Sequence, residues 1–231
     1  MNSKQFVEQL RQENQALFQA GALNVRAYFA SNPGKQELTE HFIGRMVNER
    51  MNMSEISQRI ANMPASASPE ELQLLTKQAM DEAVHFRMVK EVIEHISGTE
   101  VNVAEAIAAE AAKPTAKGAA LLAKYEAEVD ELALAVYQFI AEGRAEVNWM
   151  TMADCIEDEY VASRYAKIGR DEGFHASIGA LKLEELCVDD ATQARALELA
   201  AKMRKDLFDI SNANSVATPE AQQLVSKAYG W

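Results

Sequence analysis

Hydrophobic positions along this chain recur at helical spacing, and helix breakers interrupt them at only a few well-separated places. Phe6, Leu10, Leu17 and Val25 fall near one face of a 3.6-residue repeat, which predicts a helix over about 3–31 that ends at Ser31-Asn32-Pro33-Gly34. A second helix is predicted from about Gln36 to Asn62 and stops at Met63-Pro64. Ser68-Pro69-Glu70-Glu71 then carries a three-part start signal: a capping Ser, a Pro at the first helical position and a Glu at N3. That third helix runs to about His95 and ends at Ser97-Gly98. A short helix near 103–112 and a break from Pro114 to Gly118 lead into a long helix from Ala119 to about Cys155. The acidic Glu157-Asp158-Glu159 predicts a turn and a new helix start, because carboxylates favour the positive end of the helix dipole. Helices over about 160–186, about 190–208 and, from Thr218-Pro219-Glu220, a short last one complete the chain. No segment alternates in the manner of a half-buried strand, so the expected fold class is all-α.

Composition agrees with that pattern and narrows the chemistry. The 231 residues are 48% hydrophobic with only 10 Gly and 5 Pro, enough to build one helical domain over 1–231 with a sizeable core. A net charge of −12 repels phosphate backbones and anionic surfaces, so neither nucleic acid nor membrane is an expected partner. The first residues lack the basic and apolar regions of a signal peptide, and no apolar run reaches the length of a membrane span. Cys155 and Cys187 stand far apart without a CxxC pair, the usage of a reducing compartment; the expected location is cytoplasmic.

The histidines point to the chemistry. There are four, and two of them follow a glutamate by three residues, in Glu82-Ala83-Val84-His85 and Glu172-Gly173-Phe174-His175. On a helix, positions i and i+3 share a face, so a carboxylate and an imidazole at that spacing can reach one cation. One such motif is weak evidence, because Glu is common in helices; two, each placed mid-helix, are far less easily accidental. Each motif helix also follows a helix with its own glutamate at matching height. Glu49 lies 15 residues before Pro64 while Glu82 lies 14 after Ser68, and Glu142 lies 15 before Glu157 while Glu172 lies 13 after Glu159. Two hairpins thus each set a Glu opposite an ExxH.

This doubled pattern resembles the ferritin-like di-iron carboxylate superfamily, in which two bundle helices each give a Glu and two others each give Glu-x-x-His. The resemblance covers about 36–186 and implies a ferritin-like four-helix bundle with additional N- and C-terminal helices at 3–31 and 190–228. It implies Glu49 and His85 at one metal, Glu142 and His175 at the other, with Glu82 and Glu172 bridging them. The metals implied are two iron ions, with manganese or a mixed pair as alternatives. Four converging carboxylates would repel one another without cations, and carboxylate plus imidazole suits iron or manganese better than the four-coordinate sites zinc prefers. Glu146, one turn on from Glu142, is the alternative or additional ligand; its 26-residue separation from Glu172 is short beside the 30 of Glu142, which favours Glu142.

Other residues have plainer readings. Gly143 and Gly173 each follow a proposed ligand, leaving room for oxygen, substrate or a local π-bulge, or else allowing close helix packing as at Gly169 and Gly179. His41 reads as a surface or capping residue before one lining the approach to the site, and His95 as a residue that favours the negative end of its helix. Tyr165 reads as core before an oxidisable tyrosine. Met46, Met53, Met80, Met88, Met150 and Met152 read as core fillers. Asp81, Gln78 or a facing acid could orient a ligand imidazole. Tyr229-Gly230-Trp231 is expected to dock on the bundle or on a second copy in a homodimer. The function expected from the resemblance is a di-iron oxygenase or oxidase that activates O2 to oxidise a small organic substrate, with no catalytic residues beyond the metal centre. An external electron donor is expected, because no flavin or nicotinamide fingerprint is visible. Iron oxidation and storage, peroxide scavenging and a metal-free helical scaffold are the competing readings.

Overall fold

The computed structural model describes residues 1–113, 121–125, 127, 129–214 and 217–231, and every regular element among them is helical. In order these are α1 (Ser3–Ala30), α2 (Lys35–Ala61), α3 (Pro69–Ser97), α4 (Val103–Ala111), α5 (Leu121–Lys124), α6 (Glu131–Tyr137), a π-helical turn (Gln138–Glu142), α7 (Gly143–Cys155), α8 (Glu159–Leu186), α9 (Asp190–Asn214) and α10 (Pro219–Tyr229). No helix among the described residues is long and apolar enough to cross a membrane. Helix starts sit where the sequence supplies a side-chain oxygen for an orphan N–H. Ser68 accepts from Glu71 N–H at 3.0 Å, Asp158 from Tyr160 N–H at 2.9 Å and Thr218 from Ala221 N–H at 3.2 Å. Each such cap stabilises its helix by about 1 kcal/mol.

The long helix predicted over Ala119–Cys155 is not one helix. Its predicted start at Ala119 and the break at Pro114–Gly118 lie outside the described residues. Beyond them, α6 begins afresh at Asp130, whose carboxylate accepts from Leu132 and Ala133 N–H at 3.0 and 3.2 Å and also pairs with Arg195. A short acidic side chain that captures its own backbone N–H groups caps a helix instead of continuing one. The π turn then precedes Gly143. At the other end, α9 continues past Phe208 to Asn214.

Contacts divide the chain into two compact units. Asn32–Ala123 is built on the α2–α3 hairpin, with α4 against α2. Its interior holds Phe42, Met46 and Ile56 from α2, Leu75, Val89, Val92 and Ile93 from α3, and Ala106 from α4, all buried.

The other unit joins Met1–Ser31 to Lys124–Trp231. Here α7 and α8 pack on each other, α1 lies along α7, and α10 lies against α1. Trp149 and Tyr165 meet edge to face with centroids 4.8 Å apart, both nearly inaccessible to solvent. The Tyr229 hydroxyl donates to the Glu13 carbonyl at 2.5 Å and accepts from Leu17 N–H at 3.2 Å, so it is threaded into the hydrogen-bond ladder of α1. Trp231 stacks near Phe208 and Tyr229, with centroids 5.7 and 4.7 Å away. Tyr229-Gly230-Trp231 therefore docks on α1 and α9 of its own unit. Of the methionines read as core, Met46 and Met152 are fully buried, whereas Met80 is 64% exposed and Met150 lies at the surface.

Gly179 sets how closely α8 approaches the π turn. A Cβ there would lie 2.6 Å from Phe139 N and 2.7 Å from Ala135 O, and backbone atoms cannot rotate away. Gly179→Ala is therefore expected to destabilise the protein by about 1–3 kcal/mol in urea unfolding, the usual range for overpacking. A loss no larger than that of a surface Ala substitution would contradict this packing.

Candidate metal centre

The α2–α3 hairpin carries the first candidate site. Glu49 projects from α2, and Glu82 and His85 project from one face of α3, where their i, i+3 spacing stacks them one above the other. His85 Nδ1 lies 3.3 Å from Glu49 Oε2 and 3.8 Å from Glu82 Oε2. One ligand atom from each of the three lies within 4.8 Å of the others, close enough to surround a single ion. Glu49 is 4% exposed, and Glu82 and His85 are 0% exposed. This burial separates the group from an ordinary acidic surface patch.

The second unit repeats the arrangement. Glu142 ends the π turn, and Glu172 and His175 share a face of α8. His175 Nδ1 lies 3.2 Å from Glu172 Oε2, and Glu142 brings a carboxylate oxygen within the same 4.8 Å span. Their exposures are 3%, 1% and 0% in chain order. All six residues nominated from the sequence are buried, three brought together in each unit.

The donor chemistry fits a cation. A dry carboxylate costs several kcal/mol unless its charge is compensated. Each triad offers two carboxylates and one imidazole, so the ionised acids carry the −2 that one divalent ion neutralises, with neutral imidazole as the third donor. Oxygen and nitrogen donors without thiolate suit iron or manganese. Buried Glu/His clusters able to hold metal are thus a property of this chain.

Around the second triad, the π turn and two glycines shape the surroundings. The π turn ends at Glu142, immediately before Gly143, realising the π-bulge reading of that position; such insertions often sit at functional sites. A Cβ on Gly143 would come 3.0 Å from Phe18 Cζ, and one on Gly173 would come 2.8 Å from the Glu146 carboxyl. Gly173 thereby seats Glu146. Glu146 belongs with a pocket of about 400 Å³ whose lining includes Arg11, Phe18, Phe139, Gly143, Glu146 and Gly173. Burial is the main influence raising the Glu146 carboxyl above its ordinary range, against an opposing pull from Arg11 and with a smaller push from Glu172.

The remaining candidates take other places. His41 is partly buried and stacks edge-on to Phe42 at 5.3 Å. His95 is exposed in the last turn of α3, and Tyr165 belongs to the core. Asp81 bonds Lys77 on its own helix, and Gln78 is fully buried. Sequence reasoning gave α1 no part in any site, because Arg11, Gln15 and Phe18 sit at no ligand spacing. Only packing places them around the pocket.

Two measurements follow from these environments. Burial, aided by the Arg45 cation, pushes His41 down to about 3 from 6.5, so the folded chain resists a proton that the unfolded chain accepts. Stability should fall as pH drops from 6.5 towards 3, and His41→Gln should remove on the order of 1–2 kcal/mol of the difference between pH 7 and pH 5. An unchanged pH profile in chemical denaturation would contradict the burial of the imidazole. Metal must displace protons from imidazole and carboxyl donors, so Mn(II) affinity by calorimetry should weaken as pH falls from about 7.5 to about 5.5.

Comparison of the chain with protein-family models, with curated proteins and with solved structures gave no significant match to any of them.

Proposed function

We propose that each of the two triads holds a metal ion and that the protein is a di-iron oxygenase or oxidase acting on a small organic substrate. The observation that carries this reading is the pair of buried Glu/Glu/His triads, each gathered on helices from a separate Glu and an ExxH motif. That such triads serve oxygen chemistry is what the resemblance to the ferritin-like di-iron carboxylate superfamily contributes. The same resemblance selects iron first, with manganese or a mixed pair as the alternative. Reduced iron, when bound, supplies oxygen activation and electron transfer. The chain's own residues would exclude water, neutralise the ions with carboxylates and present an imidazole Nδ1 from the same side as those carboxylates.

A pocket beside the second triad favours catalysis over storage, because storage needs no organic-sized cavity next to a ligand helix. Electrons come from an external donor. The two separate free cysteines, one of them buried with its thiol pushed up to about 11 by burial and by nearby Asp189, accord with a reducing cytoplasmic setting.

The test is anaerobic loading with Fe(II), metal analysis and oxygen uptake on admission of air. Wild-type protein should bind about two ions per chain, one for each triad, and consume oxygen. Glu82→Ala and His175→Ala should each lose roughly half or more of the bound metal and all of the oxygen consumption. Unchanged metal content in both variants refutes the centre. Mineralisation of many ions per chain by a shell-forming oligomer would assign the protein to storage instead.

A further inference from the structure

We propose that the pocket between α1, α7 and α8 binds a small amphipathic monocarboxylate, its head held by Arg11 at the mouth and its apolar body lying towards Gly143 and Gly173. As a substrate site this rests on the oxygenase reading; as a binding site it stands on the pocket alone. All the lining residues belong to the unit formed by Met1–Ser31 and Lys124–Trp231. The volume, about 400 Å³, falls at the small end of the range for organic ligands, roughly 300–1,000 Å³.

The walls sort by chemistry. Phe18, Phe139, Val147, Met150, Ala176 and Ala180 supply apolar surface for a hydrocarbon or aryl body. Gly143 and Gly173 directly follow the triad residues Glu142 and Glu172, so a body reaching them ends beside the candidate metal site. Glu146, seated against Gly173, discourages an anionic group at that end, which turns the head of an anion outward.

The mouth carries the complementary charge. The Arg11 guanidinium lies 5.2 Å from the Phe139 ring centroid, so its stem and plane are steered along the apolar wall. Its acidic partner, Glu8, is 3.4 Å away, with both side chains about half exposed, a pairing that water screens and an incoming carboxylate can replace. Gln15 stands one helical turn further along the same face and can turn its amide to the ligand; its present bond to the Arg11 carbonyl is long, at 3.4 Å. Asp154, the other lining acid, is answered by Arg26 at 3.7 Å. A planar guanidinium on an apolar wall is a carboxylate-recognition device, because its paired N–H groups match the two oxygens.

Calorimetry on the full-length protein, metal-loaded and metal-depleted, with 4-phenylbutyrate, 4-phenylbutanol and 4-phenylbutylammonium tests this. The acid should bind at least about tenfold more tightly than the alcohol or the amine, and Arg11→Gln should erase that preference while leaving alcohol binding unchanged. Arg11 is exposed, and an unchanged thermal transition confirms that the variant folds. Equal binding of the three probes, tighter binding of the amine, no binding of any, or an Arg11→Gln variant with full acid affinity each overturns the proposal. The two readings fail separately. Acid binding through Arg11 in a protein that takes up no metal would sink the oxygenase and leave the pocket, whereas metal uptake and oxygen consumption without acid binding would sink the pocket alone.

Discussion

Withdrawing glutamates from water is the constraint around which this molecule is organised. Six ionisable residues, Glu49, Glu82, His85, Glu142, Glu172 and His175, are no more than 4% exposed in a chain whose other acids lie mostly at the surface. Each buried carboxylate opposes folding by several kcal/mol unless something compensates it. A helix pair can tolerate that burden only if its donors converge, so that one cation answers two acids at once. Convergence in turn demands rigid neighbours. In the hairpin unit, Met46 and Val89 are completely buried on the two helices that carry Glu49 and His85, which fixes the height at which these side chains meet.

The second unit reaches the same donor set by a less regular route. Its glutamate sits at the end of a π turn, and that turn rests on α8 at Gly179, where even a methyl group would strike backbone. A π turn weakens a helix locally, and close packing on a glycine is one way for tertiary contacts to hold it. The irregularity delivers Glu142 to the triad while Glu146, one turn on, turns to the pocket. Two acids four residues apart, Glu142 at the end of the π turn and Glu146 on α7, are thereby given different surroundings, one beside imidazole and one beside glycine and arginine.

Helix α1 is both a structural wall and the charged lip of that pocket, so what holds it matters to function. Arg204, itself 5% exposed, bonds the Glu13 carboxylate and the Asn14 amide oxygen, each at 3.1 Å, and stacks over the Tyr229 ring at 5.3 Å. Tyr229 in turn threads its hydroxyl between Glu13 and Leu17. These contacts fall within the roughly two turns that separate Arg11 from Phe18, so the C-terminal helix and α9 fix the segment that lines the pocket. A buried hydrogen-bonded network of this kind rigidifies what it touches.

What the sequence determined by itself was local and periodic. Ser68, Asp158 and Thr218 announced helix starts because a cap needs only a side-chain oxygen and its nearest N–H groups, and the two ExxH motifs were legible because i, i+3 spacing places residues on one face wherever the helix lies. Equal distances from a turn were enough to nominate Glu49 and Glu142, since a hairpin converts sequence distance into height. Other features were invisible for the opposite reason. The restart at Asp130 overrode an unbroken apolar pattern, the π turn depends on a glycine some forty residues away, and the pocket joins residues of α1 to residues of α7 and α8 that share no spacing. Tertiary structure alone decided these, because contacts between distant segments follow from how helix faces pack and leave no period in the chain.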